Sequence, residues 1–281
     1  MQGTNGMENR KERIIIRIGR YHLSFSSLDP TMAERQQEDE SAPAPSPISY
    51  EPYVVKSNMS MAANLREALK AADLQQIGIR KALVMIDTPM LLVPVELFEE
   101  SKMVEMFYHA YPQKQQEVVL YNVLPDLNAV AVFAINKDLK LVLDDNFADV
   151  KLMVAMTPVW KYLHRRSFTG ARNKMYGYAH DQKLDIFSFH QNRFKFYNQF
   201  EASRPQDAQY FLLYIWKQLQ LSAEHDELHL VGDISEELVT ELRRYLKNVY
   251  VINPSADFNR APATKIKGMP FDLITLFTKG R

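Results

Sequence analysis

The sequence predicts an α/β fold with mixed sheets, in which one plan is used twice. The first observation is residues 174–253, which read as three strands, a helix, a strand, a helix and a final strand. The second is the N-terminal third, where a strand pair, a third strand, a helix and a buried strand follow in the same order, without visible sequence repetition. The third is a stretch between them, about 95–149, that reads as helix, two strands and helix, and fits neither half. The division that follows is a first half at 1–170, carrying an insertion at about 95–149, and a second half at 171–281.

In the first half, residues 13–19 (R-I-I-I-R-I-G) and 21–28 (Y-H-L-S-F-S-S-L) predict two strands joined tightly at Gly19-Arg20. Tyr21, Leu23 and Phe25 alternate with His22, Ser24 and Ser26, the period of a strand with one wet face. Residues 29–52 break the pattern with five prolines and the acidic run Glu38-Asp39-Glu40, and predict a disordered excursion. A proline-motif ligand at 42–47 is the sharper reading of the same residues, and a flexible loop the plainer one. A third strand is expected at 53–56. Ser60 is placed to cap a helix at 61–74, where Ala62, Leu65, Leu69 and Ala72 share a face. Residues 81–87 (K-A-L-V-M-I-D) read as a buried strand, followed by the apolar run 90–95.

The insertion opens on a helix expected across 95–111, ended by Pro112. Strands follow at 117–124 and 127–136, separated by Pro125-Asp126, and a helix at 138–147 with Leu139, Val142, Leu143 and Phe147 on one face. A strand at 150–156 leads to Thr157-Pro158, which predicts a helix through His164 with Thr157 as N-cap and proline in the first turn. Residues 167–173 read as the hinge into the second half.

There, strands at 174–180 and 184–190 flank a tight turn at Asp181-Gln182-Lys183, and a third strand runs over 193–202. Residues 206–221 are apolar nearly all round, which predicts a helix buried on most sides. A short strand at 228–231, a helix at 236–246 and a strand at 249–252 complete the unit. The tail carries one apolar segment, 271–277, expected to dock as a short helix.

Composition narrows the function classes. The chain has 281 residues with 34 basic and 34 acidic side chains, so the surplus that marks a nucleic-acid binder is missing. No run approaches the eighteen apolar residues of a membrane span, and the first thirteen residues are polar and charged, without a signal-peptide core. The absence of cysteine excludes disulfides and thiolate metal ligands, and a cytoplasmic protein is the simplest expectation. Nine glycines amount to less than half the usual share of roughly 7%. Loops that wrap phosphate use glycine for positive φ and close backbone approach, and this chain has few to offer.

Three antiparallel strands feeding an alternating helix–strand series is the plan of a ribonuclease-H-like half. Two such halves, the first with a small α/β insertion, resemble the actin-like ATPase superfamily. Within it they are most similar to the PilM-type proteins of pilus and type II secretion assembly, where a strand and a proline (here V-M-I-D-T-P-M-L-L-V-P at 84–94) lead into an inserted subdomain. At family level, L-Y-N-V-L-P-D-L at 120–127 and N-P-S-A-D-F-N-R-A-P at 253–262 resemble an uncharacterised Bacteroidetes family, which implies no known activity. The superfamily resemblance implies Mg-ATP held between the halves by two Asp-x-Gly hairpins and a Gly-Gly turn. In the first hairpin the matching triplet is Arg17-Ile18-Gly19, with arginine where the acid belongs. In the second, Asp181 supplies an acid but no glycine follows. The adenosine-side turn is Gly232-Asp233, with one glycine and a carboxylate facing a site meant for an anion. All three motifs are degraded, and function must be read from such sites rather than from the fold.

Other constellations have plainer readings. His225 and His229 stand four apart, but Asp226 occupies the position where a zinc helix needs Glu, and four residues along a strand span ~13 Å. Asp87, at the end of a strand, could serve as a general base or simply cap a turn. His164-Arg165-Arg166 could meet an anion, or reflect the cations expected at a helix C-terminus. Phe187, Phe189, Phe194, Phe196, Tyr197 and Phe200 could stack on single strands, or be ordinary sheet packing.

The expected function is a non-catalytic, actin-like pseudo-ATPase scaffold that binds an unidentified protein partner, with no cofactor, no metal, no nucleic acid and no membrane span. One alternative is a divergent ATPase or phosphotransferase binding Mg-nucleotide, with Asp87 or Asp181 as its acid. The other is a small-ligand sensor. The inter-domain cleft residues are Arg17, Gly19, Asp181, Gly232 and Asp233.

Overall fold

A computed structural model of the chain describes residues 13–28, 46–72, 80–112, 116–190 and 193–279. Of the excursion expected over 29–52, residues 29–45, with most of the proline motif at 42–47, lie outside the described residues, as does the turn at Gln191-Asn192, whereas 48–52 belong to a strand. The chain divides into two compact units. One comprises Met1–Met90, Ser101–Asn122 and Val132–Ala155; the other comprises Leu91–Glu100, Val123–Ala131 and Met156–Arg281.

In chain order the elements are β1 (Arg13–Ile18), β2 (His22–Leu28), β3 (Ile48–Val54), α1 (Met61–Ala71), β4 (Lys81–Ile86) and β5 (Met90–Pro94). Next come α2 (Met103–Ala110), β6 (Glu117–Leu124), β7 (Ala129–Asn136), α3 (Lys137–Asn146), β8 (Asp149–Val154) and α4 (Thr157–Ser167). Then follow β9 (Lys174–His180), β10 (Lys183–His190), β11 (Arg193–Glu201), α5 (Pro205–Gln218), β12 (Glu227–Gly232), α6 (Glu236–Leu242), β13 (Val249–Val251), α7 (Pro254–Asp257) and α8 (Phe271–Lys279).

One plan is indeed used twice. The first sheet has the order β3-β2-β1-β4-β8 and the second β11-β10-β9-β12-β13. In both, the first three strands are antiparallel and the last two join in parallel. β5, β7 and β6 form a small third sheet with β7 in the centre. Every residue of β7 except Asn136 is buried, as a central strand covered on both faces requires.

In the first unit, Ile14, Ile16 and Ile18 are buried on one face of β1, and Arg17 projects from the other. α1 starts at Ser60, whose hydroxyl accepts from Ala63 N as expected of a cap. The fully buried Asn64 then ties α1 to the preceding loop. Its Oδ1 accepts from Lys56 N (2.8 Å), and its Nδ2 donates to the carbonyls of Lys56, Met59 and Ser60. At the sheet edge, Asn122 of β6 accepts from Val154 N and donates to Leu152 O, covering backbone groups of β8 that would otherwise be an open edge.

Several expectations are corrected. The third strand is Ile48–Val54, earlier than 53–56, because an edge strand accommodates Pro52, which cannot donate to a ladder. The helix expected over 95–111 is two short 3-10 turns (Val95–Leu97 and Glu100–Lys102) followed by α2; Phe98 between them has extended backbone. Thr157 is the first helical residue of α4 rather than its cap; Met156 takes the cap position without a side-chain hydrogen bond. α5 buries only Ala208, Leu212, Ile215 and Trp216, and exposes Tyr210 and Tyr214, so it is covered on one face.

In the second unit the two faces of the sheet carry different chemistry. Met175, Leu184, Ile186, Leu228 and Leu230 form an apolar core with α5 and α6. Gly177 belongs on this face because an added Cβ would stand 2.9 Å from Leu230 and 3.2 Å from Leu212. The opposite face carries rings. Tyr197, Phe187, Tyr176, His229 and Tyr250 occupy matched register positions, one on each strand. Tyr176 stacks on Phe187 at 5.5 Å and lies 5.5 Å from His229, which stacks on Tyr250 at 5.2 Å. Trp160 of α4 meets Tyr197 and Phe194 edge-on at 5.1 and 5.2 Å. Tyr176 and Phe187 are fully buried, a gain of roughly 2–3 kcal/mol each, so this part of the aromatic run is core packing rather than a stacking platform. Phe200, on the other face, stacks on Phe211 of α5 at 4.4 Å.

The basic end of α4 is also structural. Arg166 pairs with Asp257 and lies 3.1 Å from the Tyr162 hydroxyl. Burial, and then the Asp257 carboxylate, push the Tyr162 phenol up to about 12. His164 is buried between Phe168 and Phe189. Lys174, buried at the start of β9, donates to the carbonyls of Ser167, the last residue of α4, and of Thr169 just past it, a cation at the negative pole of the dipole.

Candidate functional site

The candidate residues all lie where strands end or turn. In the first unit β1 closes with Gly19, whose N–H donates to His22 O (2.9 Å) and so completes the turn into β2. Asp87 follows β4, and its N–H donates to Ile18 O (2.9 Å), which places it beside the end of β1. Arg17 lies two residues before Gly19, is 4% exposed, and pairs in register with Ser24 and Met85. An interior guanidinium therefore stands on the strand that in the resembled hairpin would carry an acid.

In the second unit, β9 and β10 are joined by Asp181 and Gln182, with φ of 47° and 60°. Two successive left-handed residues are what a two-residue hairpin needs to match strand twist, and Asp tolerates that region better than most non-glycine residues. The missing glycine is thus replaced by strained but permitted backbone. Gly232 ends β12 with φ +93°, and an added Cβ would lie 2.0 Å from the Ala179 carbonyl oxygen. Asp233 N donates to that same oxygen (2.8 Å), and Ile234 N to Gly232 O (2.9 Å). The amides of this turn are directed at the protein's own carbonyls.

The sequence reading missed the group behind the Asp181 turn. Asp185, completely buried on β10, accepts from the Tyr197 hydroxyl (2.7 Å) and from Gln199 Nε2 (3.3 Å to each oxygen), and its Oδ2 lies 2.7 Å from His180 Nε2. His180 Nδ1 in turn lies 3.8 Å from Asp181 Oδ2; the two side chains are 7% and 11% exposed. Tyr178 stacks on the imidazole at 4.3 Å and places its hydroxyl 3.4 Å from the buried Asp272 of α8. A legible signal existed: Asp185 occupies an inward position between Lys183 and Phe187, and a buried carboxylate must be partnered. The arrangement orients an imidazole between two carboxylates.

His225 and His229 do not form a pair. His225 is on an exposed turn and His229 is buried in β12, where its Nε2 lies 2.9 Å from Glu227 Oε2. Burial, reinforced by Arg166 and Lys174 and opposed by Glu227, holds the His229 imidazole below its ordinary value. A folded-state value depressed below about 6.5 means that stability is intact above that pH and is lost as pH falls through the folded value. Between pH 7.5 and 5.5 protonation of His229 is expected to cost stability, its own share being no more than the ~1.4 kcal/mol per pH unit that one proton allows, and so to lower the melting temperature. His229→Gln is expected to lose measurably less over the same interval; an equal loss would assign the pH dependence elsewhere.

A notch of about 240 Å³ lies between α5 and α6, lined by Pro205, Gln206, Gln209, Glu237, Leu238 and Glu241, and contains none of the candidate residues. Among the described residues, no helix is long and apolar enough to cross a membrane.

Two five-stranded sheets of one order and direction, with an inserted small sheet, define the actin-like ATPase fold. A crystal structure of a Bacteroides thetaiotaomicron VPI-5482 protein, described as having an actin-like ATPase fold and unknown function, matches with a TM-score of 0.77 and 26% identity, over 95% of this chain and 100% of that one. The chain belongs to the DUF3822 family of proteins of unknown function, whose model matches residues 4–249. More distant structural matches include a PilM-PilN type IV pilus biogenesis complex (TM-score 0.48, 14% identity, 88% of this chain and 90% of that one). Another is the ethanolamine utilization protein EutJ from Carboxydothermus hydrogenoformans (TM-score 0.45, 9% identity, 93% and 88%). No match was found among curated proteins.

Proposed function

We propose that this chain is a non-catalytic, actin-like pseudo-ATPase of the cytoplasm whose work is to bind another protein. The observation that carries this reading is the state of the turn after β12, where the Asp233 and Ile234 amides already donate to Ala179 and Gly232. Phosphate binding at such a turn relies on N–H groups left to point at the ligand. Arg17 in place of a metal-directed acid and a second hairpin without glycine support the same conclusion. A protein partner is favoured by α2, an apolar helix in which Phe107 is the one buried residue.

Thermal unfolding with and without millimolar Mg-ATP, Mg-ADP and Mg-GTP tests the reading. The expected result is no shift. A nucleotide at a hundred times its dissociation constant would add about 2.7 kcal/mol, which is easily seen. A Mg-dependent shift that Asp181→Ala removes would overturn the proposal in favour of a divergent ATPase or phosphotransferase.

A further inference from the structure

α5 turns one face into the core and leaves the other uncovered. Its inner stripe is Ala208, Leu212, Ile215 and Trp216, packed on the sheet together with α6. Its outer stripe runs through Gln206, Tyr210 and Tyr214 at successive turns, a spacing of four that keeps them on one helix face. Tyr210 and Tyr214 are 62% and 46% exposed, and their rings lie within 10° of parallel at 6.0 Å. The pair is held from behind: Tyr210 meets Phe211 edge-on at 5.3 Å, and Phe211 stacks on Phe200 of β11 at 4.4 Å. Two exposed tyrosines add nothing to the core they face away from, whereas fixed aromatic rings at a surface offer a partner contact area at low entropic cost.

The notch between α5 and α6 is continuous with this stripe, because Gln206 belongs to both. At about 240 Å³ it is smaller than the ~300–1,000 Å³ of pockets that enclose a small molecule, so it suits a single side chain. Pro205 and the buried Leu238 give it apolar surface. Glu237 and Glu241, one turn apart on α6, supply two carboxylates, Gln206 and Gln209 supply two amide oxygens, and none of these lining residues is a cation. The helix dipole accounts for Glu237 in the first turn of α6, but it disfavours Glu241 near the other end. Glu241 pairs with the exposed Arg244 at 3.1 Å, a contact of the weak surface kind that a better-placed cation can displace.

We propose that this face docks an arginine carried on an extended segment of a partner protein. The guanidinium enters the notch between Glu237 and Glu241, and the apolar residues beside the arginine lie on Tyr210 and Tyr214. Charge complementarity selects the occupant: a recess lined by carboxylates and amide oxygens calls for a cation with several donors. Arginine fits better than lysine, because its planar fork carries five N–H groups in fixed directions while its aliphatic stem covers Leu238 and Pro205. The inference rests on the reading that the chain works by binding another protein, and it gives the chemistry of one surface that does so.

The test is selection of short random peptides displayed on phage against the full chain, followed by fluorescence anisotropy with one enriched peptide made synthetically. The expected result is a family of peptides with an arginine next to an aromatic or aliphatic residue, whose binding weakens as salt rises. The double variant Glu237→Gln/Glu241→Gln is expected to bind the synthetic peptide at least about 10-fold more weakly, and Tyr210→Ala likewise. Both changes are on the outer side of the helices and leave the inner stripe of α5 intact. Lysine in place of the peptide's arginine should also lose affinity. Glu224→Gln, which removes a well-exposed acid outside the notch, is the control and should leave binding unchanged. Enriched peptides without arginine, or no enriched family at all, would overturn the proposal; so would equal binding by wild type and the double variant. A Mg-dependent nucleotide shift would overturn the pseudo-ATPase reading and leave these peptide results standing, so the two can fail separately.

Discussion

Gly232→Ala is expected to prevent the second unit from reaching its native structure, or to cost at least ~4 kcal/mol if it folds. Two effects combine. The φ of +93° is strained for any residue with a Cβ, which by itself costs roughly 1–2 kcal/mol. The larger effect is steric: the new methyl would lie 2.0 Å from a backbone oxygen, Ala179 O, with Ala179 C and Tyr178 Cδ2 both at 3.0 Å. Backbone cannot rotate away as a flexible side chain can, so β12 must separate from β9 and the Asp233–Ala179 hydrogen bond is lost. Gly170→Ala separates the two effects. Gly170 has φ +78° but no atom within 4 Å of its would-be Cβ, so only the backbone strain remains. Denaturant unfolding of both variants should show a small loss for Gly170→Ala and a collapse of soluble protein or midpoint for Gly232→Ala. Similar losses would show that the contact with Ala179 does not constrain the fold.

Asp185→Ala is expected to be the most damaging side-chain truncation in the polar network, at about 3–5 kcal/mol. The carboxylate is the common acceptor for His180, Tyr197 and Gln199. Removing it leaves three donors without their common acceptor and opens a cavity in the sheet face. Tyr197→Phe removes one donor and keeps the ring against Trp160, so about 1 kcal/mol is expected. Melting temperatures of the two variants test the ranking. If Tyr197→Phe costs as much as Asp185→Ala, the network is held by the tyrosine and not by the buried acid.

Much of the architecture could be read directly. The alternation in β1 and β2, the apolar periodicity of α1 and α3, and the Pro125-Asp126 break before β7 all place elements within a few residues of where they form. Duplication of the plan was legible because strand and helix periods depend only on local alternation. Elements failed where a local rule had two solutions. Pro52 reads locally as the end of a loop, yet an edge strand accommodates it because proline lacks only a donor that the outer face does not need. The apolar run over 95–111 matched a helix, yet Phe98 adopts extended backbone and splits it. The run over 206–221 read as wrapped in core, whereas two of its tyrosines face outward.

The candidate residues divide in the same way. Arg17, Gly19, Asp87, Asp181, Gly232 and Asp233 stand out in the sequence because turns and strand ends are written in short-range residue preferences. His180 and Asp185 were missed: five residues apart in the chain, they meet only because a two-residue turn sets β9 and β10 in register. The sequence alone determined the repeated α/β plan, the poverty of glycine and the arginine at position 17, since these depend on residue identity and local period. Only the tertiary structure decided that the turn amides after β12 donate inward, that Gly232 tolerates no side chain, and that an imidazole stands between two carboxylates. Those facts are set by the pairing of strands distant in sequence, and pairing register is a property of the assembled sheet.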